Sequence, residues 1–397
     1  MRFQKAFVPA GGIWSSPFVR WQGSLSAINS IDLAVDLTQR ALGDRGIDPS
    51  IFSRIVLGQT IPQERSFYAP SEVAARIGAP GISGPLVVQA CATSAACIES
   101  AAAGVEDGQD EAVLVVATDR LSNGPLLIFP SSDAPGGEPR TEQWVRASFE
   151  RDPWAGVGPL HTAEAVAREE GIDRAELDDV TLLRYAQYGR ALEDDRAFQR
   201  RYFVPVTVPQ GRRGSRLVTE DEGVVTTSAD ALARLKPVLD DGVITYGMQT
   251  HPADGTAGMI LMTESRARAM SGGKGVVQIL ASASARVEKG RMPKAPVPAA
   301  RRALDRAGLT FHDLHAITTH NPFTVNDVYF ARQTGVAIDT INEYGSSLVW
   351  GHPQGPTGLR AIAELVETLR VRGGGYGLFT GCAAGDMGMA IVLSVDD

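Results

Sequence analysis

The most constraining feature of this 397-residue sequence is a continuous apolar run at residues 112–118 (Ala-Val-Leu-Val-Val-Ala-Thr). A run without polar alternation is typical of a strand that is buried on both faces of a layered sheet. Further short apolar runs follow a long interruption, and segments with helical spacing lie between several of them. These later runs are at 254–262, 276–283, 314–319, 376–380 and 389–394. Alternating strands and helices predict an α/β fold.

Composition narrows the class of protein. The net charge of −8 gives no indication of a nucleic-acid partner or an anionic membrane surface. Three cysteines do not make a disulfide framework, and their odd number favours a reducing compartment. No apolar run approaches the length of roughly 20 residues that a membrane helix needs. We therefore expect a cytoplasmic protein that has no membrane partner.

The segment 84–103 places a cysteine where a nucleophile is often found. Its apolar start, 86–88, predicts a buried strand, and its alanine-rich continuation predicts a helix. Cys91 falls at the turn between them, where free backbone N–H groups and the helix dipole would favour the thiolate. The alternative is that Cys91 is an inert, small core residue, because free cysteines are usually buried.

Three more potentially reactive side chains follow predicted strands or their ends: His320, His352 and Cys382. Their spacing has no Cys-x-x-Cys or paired-histidine signature, so the sequence predicts no metal site. A cysteine–histidine nucleophile pair suits these residues better, because an imidazole can accept the thiol proton. A second cysteine suits a separate proton transfer.

Four motifs then occur in the order and spacing of one family. Residues 342–358 contain Gly-His-Pro-Gln-Gly-Pro-Thr-Gly, and residues 382–388 read Cys-Ala-Ala-Gly-Asp-Met-Gly. Residues 162–164 read Thr-Ala-Glu, and residues 254–257 read Asp-Gly-Thr-Ala. Over nearly its whole length the chain resembles the thiolases.

The resemblance implies a five-layered α-β-α-β-α fold with two similar core halves. In that division, residues 1–118 with 251–270 form the N-terminal half and 271–397 the C-terminal half. Residues 119–250 would be an inserted loop domain that covers CoA and influences substrate choice. The resemblance also implies a homodimer or homotetramer.

The resemblance assigns roles to the reactive residues. Cys91 would be the acylated nucleophile, His352 would activate it, and Cys382 would move the proton on the α-carbon of acetyl-CoA. The family usually has Asn-Glu-Ala-Phe where this chain has His-Asn-Pro-Phe at 320–323. Either His320 or Asn321 would then take over the oxyanion role of the first asparagine.

Further side chains are candidates for substrate contact. Ala384 stands at the third position of the family's Cys-x-Gly motif, and the basic segment 200–216 could meet phosphates or be a solvated surface. The candidate substrate-binding residues are Thr250, His161, Ala384, Asn321, Arg212 and Arg213, with His251 as a further possibility.

The implied activity is reversible thiolysis of a 3-ketoacyl-CoA, or the reverse Claisen condensation with acetyl-CoA. CoA thioesters are then substrates, and no cofactor is implied, since a dinucleotide glycine fingerprint with its acidic residue is missing from the sequence. Two alternatives stay open. One is a condensing synthase for a specialised acyl unit, and the other is a non-catalytic acyl-CoA-binding subunit that supports a partner enzyme.

Overall fold

The computed structural model describes residues 1–396. Its strands are β1 Phe7–Val8, β2 Ile13–Ser15, β3 Val19–Arg20, β4 Arg54–Gly58, β5 Leu86–Val87, β6 Ala112–Arg120, β7 Leu126–Phe129, β8 Arg140–Gln143, β9 Val206–Pro209, β10 Ser215–Val218, β11 Ala253–Met262, β12 Val277–Arg286, β13 Ala316–His320, β14 Gly375–Ala383 and β15 Met387–Val395.

The α-helices lie between these strands, singly or several in succession. They are α1 Ser30–Asp44, α2 Ala69–Arg76, α3 Thr93–Glu106, α4 Trp144–Glu150, α5 Pro159–Glu169, α6 Arg174–Ala191, α7 Glu193–Arg196, α8 Ala229–Ala233, α9 Glu264–Ser271, α10 Pro296–Ala307, α11 Thr324–Thr334, α12 Ser347–Trp350 and α13 Thr357–Val371. Within residues 1–396, none of these helices has the length and apolar character needed to span a membrane.

One mixed sheet organises the described chain. Its order is β13-β14-β15-β12-β1-β11-β6-β4-β5, and β2 and β3 pair with β11. The short strand β1 pairs antiparallel with both β11 and β12 and so joins two halves of the sheet. Parallel pairs lie near both ends, β4 with β5 and β13 with β14. The α/β class is confirmed.

The two halves stack on each other through helices. On β6, Val113 faces a central cluster that includes α3 and α13, whereas Leu114 faces α1 and α2. On β15, Ile391 faces the same central cluster, whereas Val392 faces α10 and α11. Since successive side chains of a strand point to opposite faces, this alternation produces the five layers α-β-α-β-α.

The segment 119–250 divides between two places. Its first part contains the hairpin β7–β8 and the helices α4 and α5. Its later ribbon, β9–β10, packs Val206 and Val208 into the outer cluster beside α1. The ribbon therefore adds to the outer core of the N-terminal half.

Two local predictions are wrong. The run 86–88 was predicted as a buried strand, but β5 is the last strand of the sheet, and Leu86 and Val88 are exposed. The expectation that His352 follows a strand is also wrong, because the residues before it, Ser347–Trp350, form the helix α12, which ends at Gly351 with φ +93°. A short apolar run does not distinguish a buried strand from a buried helical turn.

A buried charge cluster ties the inserted segment to α12 and α13. The fully buried side chains of Arg360 and Asp221 form an ion pair with Nη1–Oδ1 at 2.6 Å. The hydroxyl of Tyr202 donates to Glu364 Oε1 at 2.7 Å. The Arg360 guanidinium lies 4.2 Å from the ring centroid of Trp350. Burial raises the pKa of Glu364 to about 7.

This cluster gives a pH-dependent prediction. The pKa of Glu364 is higher in the folded chain, so the folded state retains a proton that the unfolded chain releases as pH rises from 4.5 to about 7. The contribution of Glu364 to the free energy of unfolding therefore falls across that range and levels off above it. Between these two pH values we expect the free energy of unfolding to fall by about 3 kcal/mol less in Glu364→Gln than in the wild type. Urea unfolding at acidic and mildly alkaline pH measures it.

The matched control is Glu367→Gln on the same helix, where the carboxylate pairs with the partly exposed Arg201. This variant should keep the wild-type dependence of stability on pH. An equal pH dependence in Glu364→Gln and wild type would contradict the prediction.

Candidate active site

Cys91 lies in a tight turn that joins β5 to α3. Ala90 has φ +47°, an uncommon conformation for a residue with a side chain. The Thr93 hydroxyl holds the turn, because it donates to Ala90 O at 2.7 Å and accepts from Gln89 N at 2.9 Å. The thiol thus sits at the start of α3, as the sequence indicates, and it is half-buried.

The structure brings His352 to this thiol. Nε2 of His352 lies 3.2 Å from Cys91 Sγ, and Nδ1 lies 2.6 Å from Thr357 Oγ1. With Nδ1–H donating to that hydroxyl, Nε2 keeps a lone pair toward the thiol. The backbone also fixes this segment, since His352 N donates to His251 O at 2.9 Å. The pair is an imidazole oriented to accept a thiol proton.

Burial favours the neutral form of both groups. It raises the pKa of Cys91 to about 12, although the backbone N–H of Ala384 opposes this shift. It also lowers the pKa of His352 well below its usual value. The resting pair is therefore a thiol and a neutral imidazole, and the helix start alone does not produce a thiolate here.

His320 completes a cluster of three. His320 is the last residue of β13, and its ring centroid lies 4.1 Å from that of His352. Burial lowers the pKa of His320 to about 3. Its Nδ1 lies 2.9 Å from Ser347 Oγ, whereas Nε2 is buried without a hydrogen-bond partner. One donor atom from each of Cys91, His320 and His352 lies within 4.8 Å of the others. Three potential metal ligands are thus together, which the spacing did not predict.

Cys382 lies near the end of β14, where it pairs with Gly388 of β15. The strand extends beyond the predicted 376–380, so the thiol belongs to regular sheet. The amide Nδ2 of Asn326 lies 3.2 Å from Cys382 Sγ. Burial raises the pKa of this thiol above its usual value, and the nearby Cys91 adds to the shift. Cys382 packs in one cluster with Met292 and Phe323.

A cavity of about 420 Å³ opens onto Cys91 and His352. Its apolar lining side chains include Ile61, Trp144, Phe149, Leu160, Met292 and Phe323. Its polar lining side chains include the amides Gln249 and Gln354. Among the described residues that form its walls, none is Lys, Arg, Asp or Glu. Helices α4 and α5 of the inserted segment supply part of this wall.

Sequence comparison decides the family. Residues 13–265 match the family description "Thiolase, N-terminal domain", and residues 274–395 match "Thiolase, C-terminal domain". The chain belongs to the thiolase family. An acetyl-CoA acetyltransferase of Pseudomonas aeruginosa is 28% identical over 95% of this chain and 96% of that protein. A β-ketoadipyl-CoA thiolase of the same species is 30% identical over 95% of this chain and 96% of that protein.

Solved thiolase structures share the fold. The acetyl-CoA acetyltransferase of Bacillus anthracis superimposes with a TM-score of 0.90 at 25% identity, covering 99% of each chain. Human mitochondrial 3-ketoacyl-CoA thiolase also has a TM-score of 0.90, at 24% identity, covering 98% of this chain and 99% of that one. The five-layered architecture expected from the resemblance is confirmed.

The predicted substrate-binding residues of this thiolase fall into two groups. Thr250 and Ala384 line the cavity. Asn321 does not, because its side chain is committed to the protein interior: Nδ2 donates to Asp327, and Oδ1 accepts from Leu348 N at 3.2 Å. His320 does not line the cavity either, but one of its ring nitrogens lies within 4.8 Å of the donor atoms of Cys91 and His352.

Two other predicted contact residues, His161 and Arg212, are not among those that line the cavity. His161 is exposed in the first turn of α5, beside the lining residues Pro159 and Leu160. Arg212 is exposed in the turn of the β9–β10 ribbon, on the outer side of the N-terminal half. The side chain of Arg213 lies outside the described residues. Arg212 is exposed, which both interpretations require, a solvated surface and a contact to an external phosphate.

Gln354 is a site residue that the motif analysis missed. Its Oε1 lies 3.3 Å from Cys91 Sγ, and its backbone has φ +65°. The next residue, Gly355, donates its N–H to Asp119 Oδ2 at 2.8 Å, which holds this turn. Gln354 occupies the variable position of the Gly-His-Pro-x-Gly motif. The only signal available was a polar residue inside that motif.

Proposed function

We propose that this thiolase transfers acyl groups between CoA thioesters through an acyl-Cys91 intermediate. The 3.2 Å approach of His352 Nε2 to Cys91 Sγ at the cavity wall carries this proposal. In the first step Sγ attacks the thioester carbonyl carbon, and Nε2 accepts the thiol proton. The bond from that carbon to the CoA sulfur then breaks, and the leaving thiolate takes the proton from His352.

His320 stabilises the oxyanion of this step. Ser347 Oγ lies within hydrogen-bond distance of both His320 Nδ1 and Asn321 Oδ1, at 2.9 and 3.2 Å. When the hydroxyl donates to Nδ1, the ring proton resides on Nε2, which otherwise lacks a partner. With a ring nitrogen of His320 within 4.8 Å of the donor atoms of Cys91 and His352, this N–H would serve as an oxyanion donor, an effect typically of about 3 kcal/mol.

Cys382 carries out the second half-reaction. Burial keeps Cys382 protonated at rest, so its proton first passes to solvent. The thiolate, which accepts a hydrogen bond from the Asn326 amide at 3.2 Å, then removes a proton from the α-carbon of acetyl-CoA. The resulting enolate attacks the acyl carbon on Cys91, and the bond from that carbon to Sγ breaks. The proton held by Cys382 then returns to Cys91. Thiolysis of a 3-ketoacyl-CoA is the same sequence in reverse. This chemistry uses only CoA thioesters as substrates and requires no redox or metal cofactor.

We propose that the transferred acyl group is neutral. No charged side chain lies among the described residues of the cavity wall, and aromatic and aliphatic side chains dominate it. Burying a carboxylate without a partner is costly. A neutral acyl group would distinguish this chain from its relative named β-ketoadipyl-CoA thiolase, because a ketoadipyl group ends in a carboxylate.

The division into 1–118 with 251–270, 119–250 and 271–397 remains our proposal. Its support is that α4 and α5 contribute to the cavity wall while β11 returns to the N-terminal half of the sheet.

We also propose a cytoplasmic homo-oligomer. The edge strand β5, followed by the exposed side chain of Val88, supports self-association. Light scattering of the purified protein measures the number of chains.

The test is intact mass after brief exposure to acyl-CoA thioesters. We expect butyryl-CoA to add one butyryl group and succinyl-CoA, its carboxylate-bearing counterpart, to react at least about tenfold more slowly. The adduct should be lost in Cys91→Ala and kept in Cys97→Ala, which removes a thiol buried in α3. If no thioester forms an adduct with protein that still binds CoA, the chain is a non-catalytic binding subunit. Equal rates with both thioesters would refute the neutral acyl group.

A further inference from the structure

One atom of the Cys91–His320–His352 cluster has no hydrogen-bond partner before substrate binds. The ring Nε2 of His320 is buried and has no hydrogen-bond partner. A buried polar atom without a partner loses the free energy of its former hydration and gains nothing in exchange. The donor atoms of Cys91 and His352 lie within 4.8 Å of the one from His320. A ligand that accepts lone pairs would satisfy His320 Nε2 and could be shared with the other two donor atoms.

The other nitrogen of each imidazole is held by a hydroxyl group. His352 Nδ1 lies 2.6 Å from Thr357 Oγ1, and His320 Nδ1 lies 2.9 Å from Ser347 Oγ. If Nδ1–H of His320 donates to Ser347 Oγ, that hydroxyl is free to donate to Asn321 Oδ1 at 3.2 Å. In this arrangement Nε2 of both imidazoles carries a lone pair. Hydrogen bonds of this kind at the second nitrogen are what orients histidine ligands in metal sites.

We propose that Cys91, His320 and His352 bind a zinc ion that reversibly blocks the nucleophile. One thiolate and two neutral imidazoles are a donor set that zinc accepts, and two of the three residues, Cys91 and His352, line the cavity. On binding, the bond from Cys91 sulfur to its proton breaks, the proton goes to solvent, and the sulfur lone pair bonds to the metal. With no carboxylate in the trio, Mg²⁺ and Ca²⁺ are poor candidates.

Inhibition by zinc rests on the proposed acyl-transfer function, whereas zinc binding itself does not. The sulfur lone pair that attacks a thioester is the one that the metal would hold, so zinc and acyl-CoA compete for Cys91. The metal also selects the His320 tautomer with a free Nε2 lone pair, whereas oxyanion stabilisation needs a proton there. Bound zinc would therefore withdraw two groups from acyl transfer together.

The first test measures zinc binding directly. Reduced full-length protein is titrated with Zn²⁺ against a chromophoric chelator, and the zinc complex is examined by X-ray absorption. We expect one zinc per chain, with a first shell of one sulfur at about 2.3 Å and two nitrogens at about 2.0 Å. Sub-stoichiometric binding by the wild type, or a zinc shell without sulfur, would overturn the proposal.

Variants then identify the ligands. His320→Ala should weaken zinc affinity by at least about tenfold, by analogy with the loss of other metal-site contacts. Cys91→Ser should remove sulfur from the zinc shell. Cys97→Ala, which removes a thiol in the central cluster, should bind zinc as the wild type does. Unchanged affinity in a folded His320→Ala protein, judged by circular dichroism, would contradict the assignment.

Zinc-free and zinc-loaded samples of the same protein distinguish failure of the zinc proposal from failure of the acyl-transfer proposal. If zinc binds as expected but zinc-free protein forms no acyl adduct, the metal site stands and acyl transfer fails. If the zinc-free protein is acylated and added zinc neither binds at this trio nor slows acylation, acyl transfer stands and the metal site fails.

Discussion

Replacing His352 by alanine is expected to slow acylation of Cys91 by about three orders of magnitude, within the range for general base catalysis. Burial raises the pKa of the Cys91 thiol to about 12, so the thiol does not ionise unaided near neutral pH. Nε2 of His352, 3.2 Å from the sulfur, is the imidazole nitrogen that accepts its proton. The measurement is the rate of acyl-adduct formation by quenched flow and intact mass.

Two matched variants make this result specific. His312→Ala removes an exposed imidazole and should acylate at the wild-type rate. Thr357→Val retains His352 but removes the hydroxyl at 2.6 Å from Nδ1, and it should slow acylation by roughly tenfold, the low end expected when an orienting hydrogen bond is lost. If His352→Ala acylates within about threefold of the wild type, His352 is not the base.

Much of this architecture could be predicted from local sequence patterns. The run at 112–118 predicts a strand buried on both faces, and its alternate residues do pack into two different cores. The motif resemblance led to the thiolase fold. Predictions failed where burial depends on position in the sheet: nothing within 86–88 shows that β5 has no neighbour on one side.

The residues of the active site likewise include some that the sequence predicts and some that it does not. The motifs pointed to Cys91, His352 and Cys382, and the structure places His352 against Cys91. Gln354 and the free Nε2 of His320 could not be predicted, because each depends on contacts between residues far apart in the chain. The sequence left open which of His320 and Asn321 faces the site. That choice follows from Asp327 and Leu348, whose contacts occupy the Asn321 amide.

Replacing Cys382 by alanine is expected to separate the two half-reactions. Acylation of Cys91 should stay within about threefold of the wild type, because the partner of the thiol in that step is His352. Condensation and thiolysis should both fall by about three to four orders of magnitude, the upper range for loss of a general base. Exchange of the acetyl-CoA α-protons with deuterated water should be lost as well. Steady-state turnover, intact mass and proton NMR measure these three quantities.

Asn326→Ala is the conservative companion to this variant. It keeps the Cys382 thiol but removes the amide at 3.2 Å from the sulfur, so the thiolate loses a hydrogen-bond donor. We expect α-proton exchange to slow by about tenfold while acylation of Cys91 is unchanged, since a single hydrogen bond to a charged group contributes about 1.5–3 kcal/mol.

Cys97→Ala controls for loss of a buried thiol and should leave both half-reactions intact. If Cys382→Ala still exchanges α-protons at the wild-type rate, another group is the base. Because Asn326 donates only to Cys382 among these reacting groups, a parallel loss of acylation in Asn326→Ala would instead show that the variant disturbs the whole site.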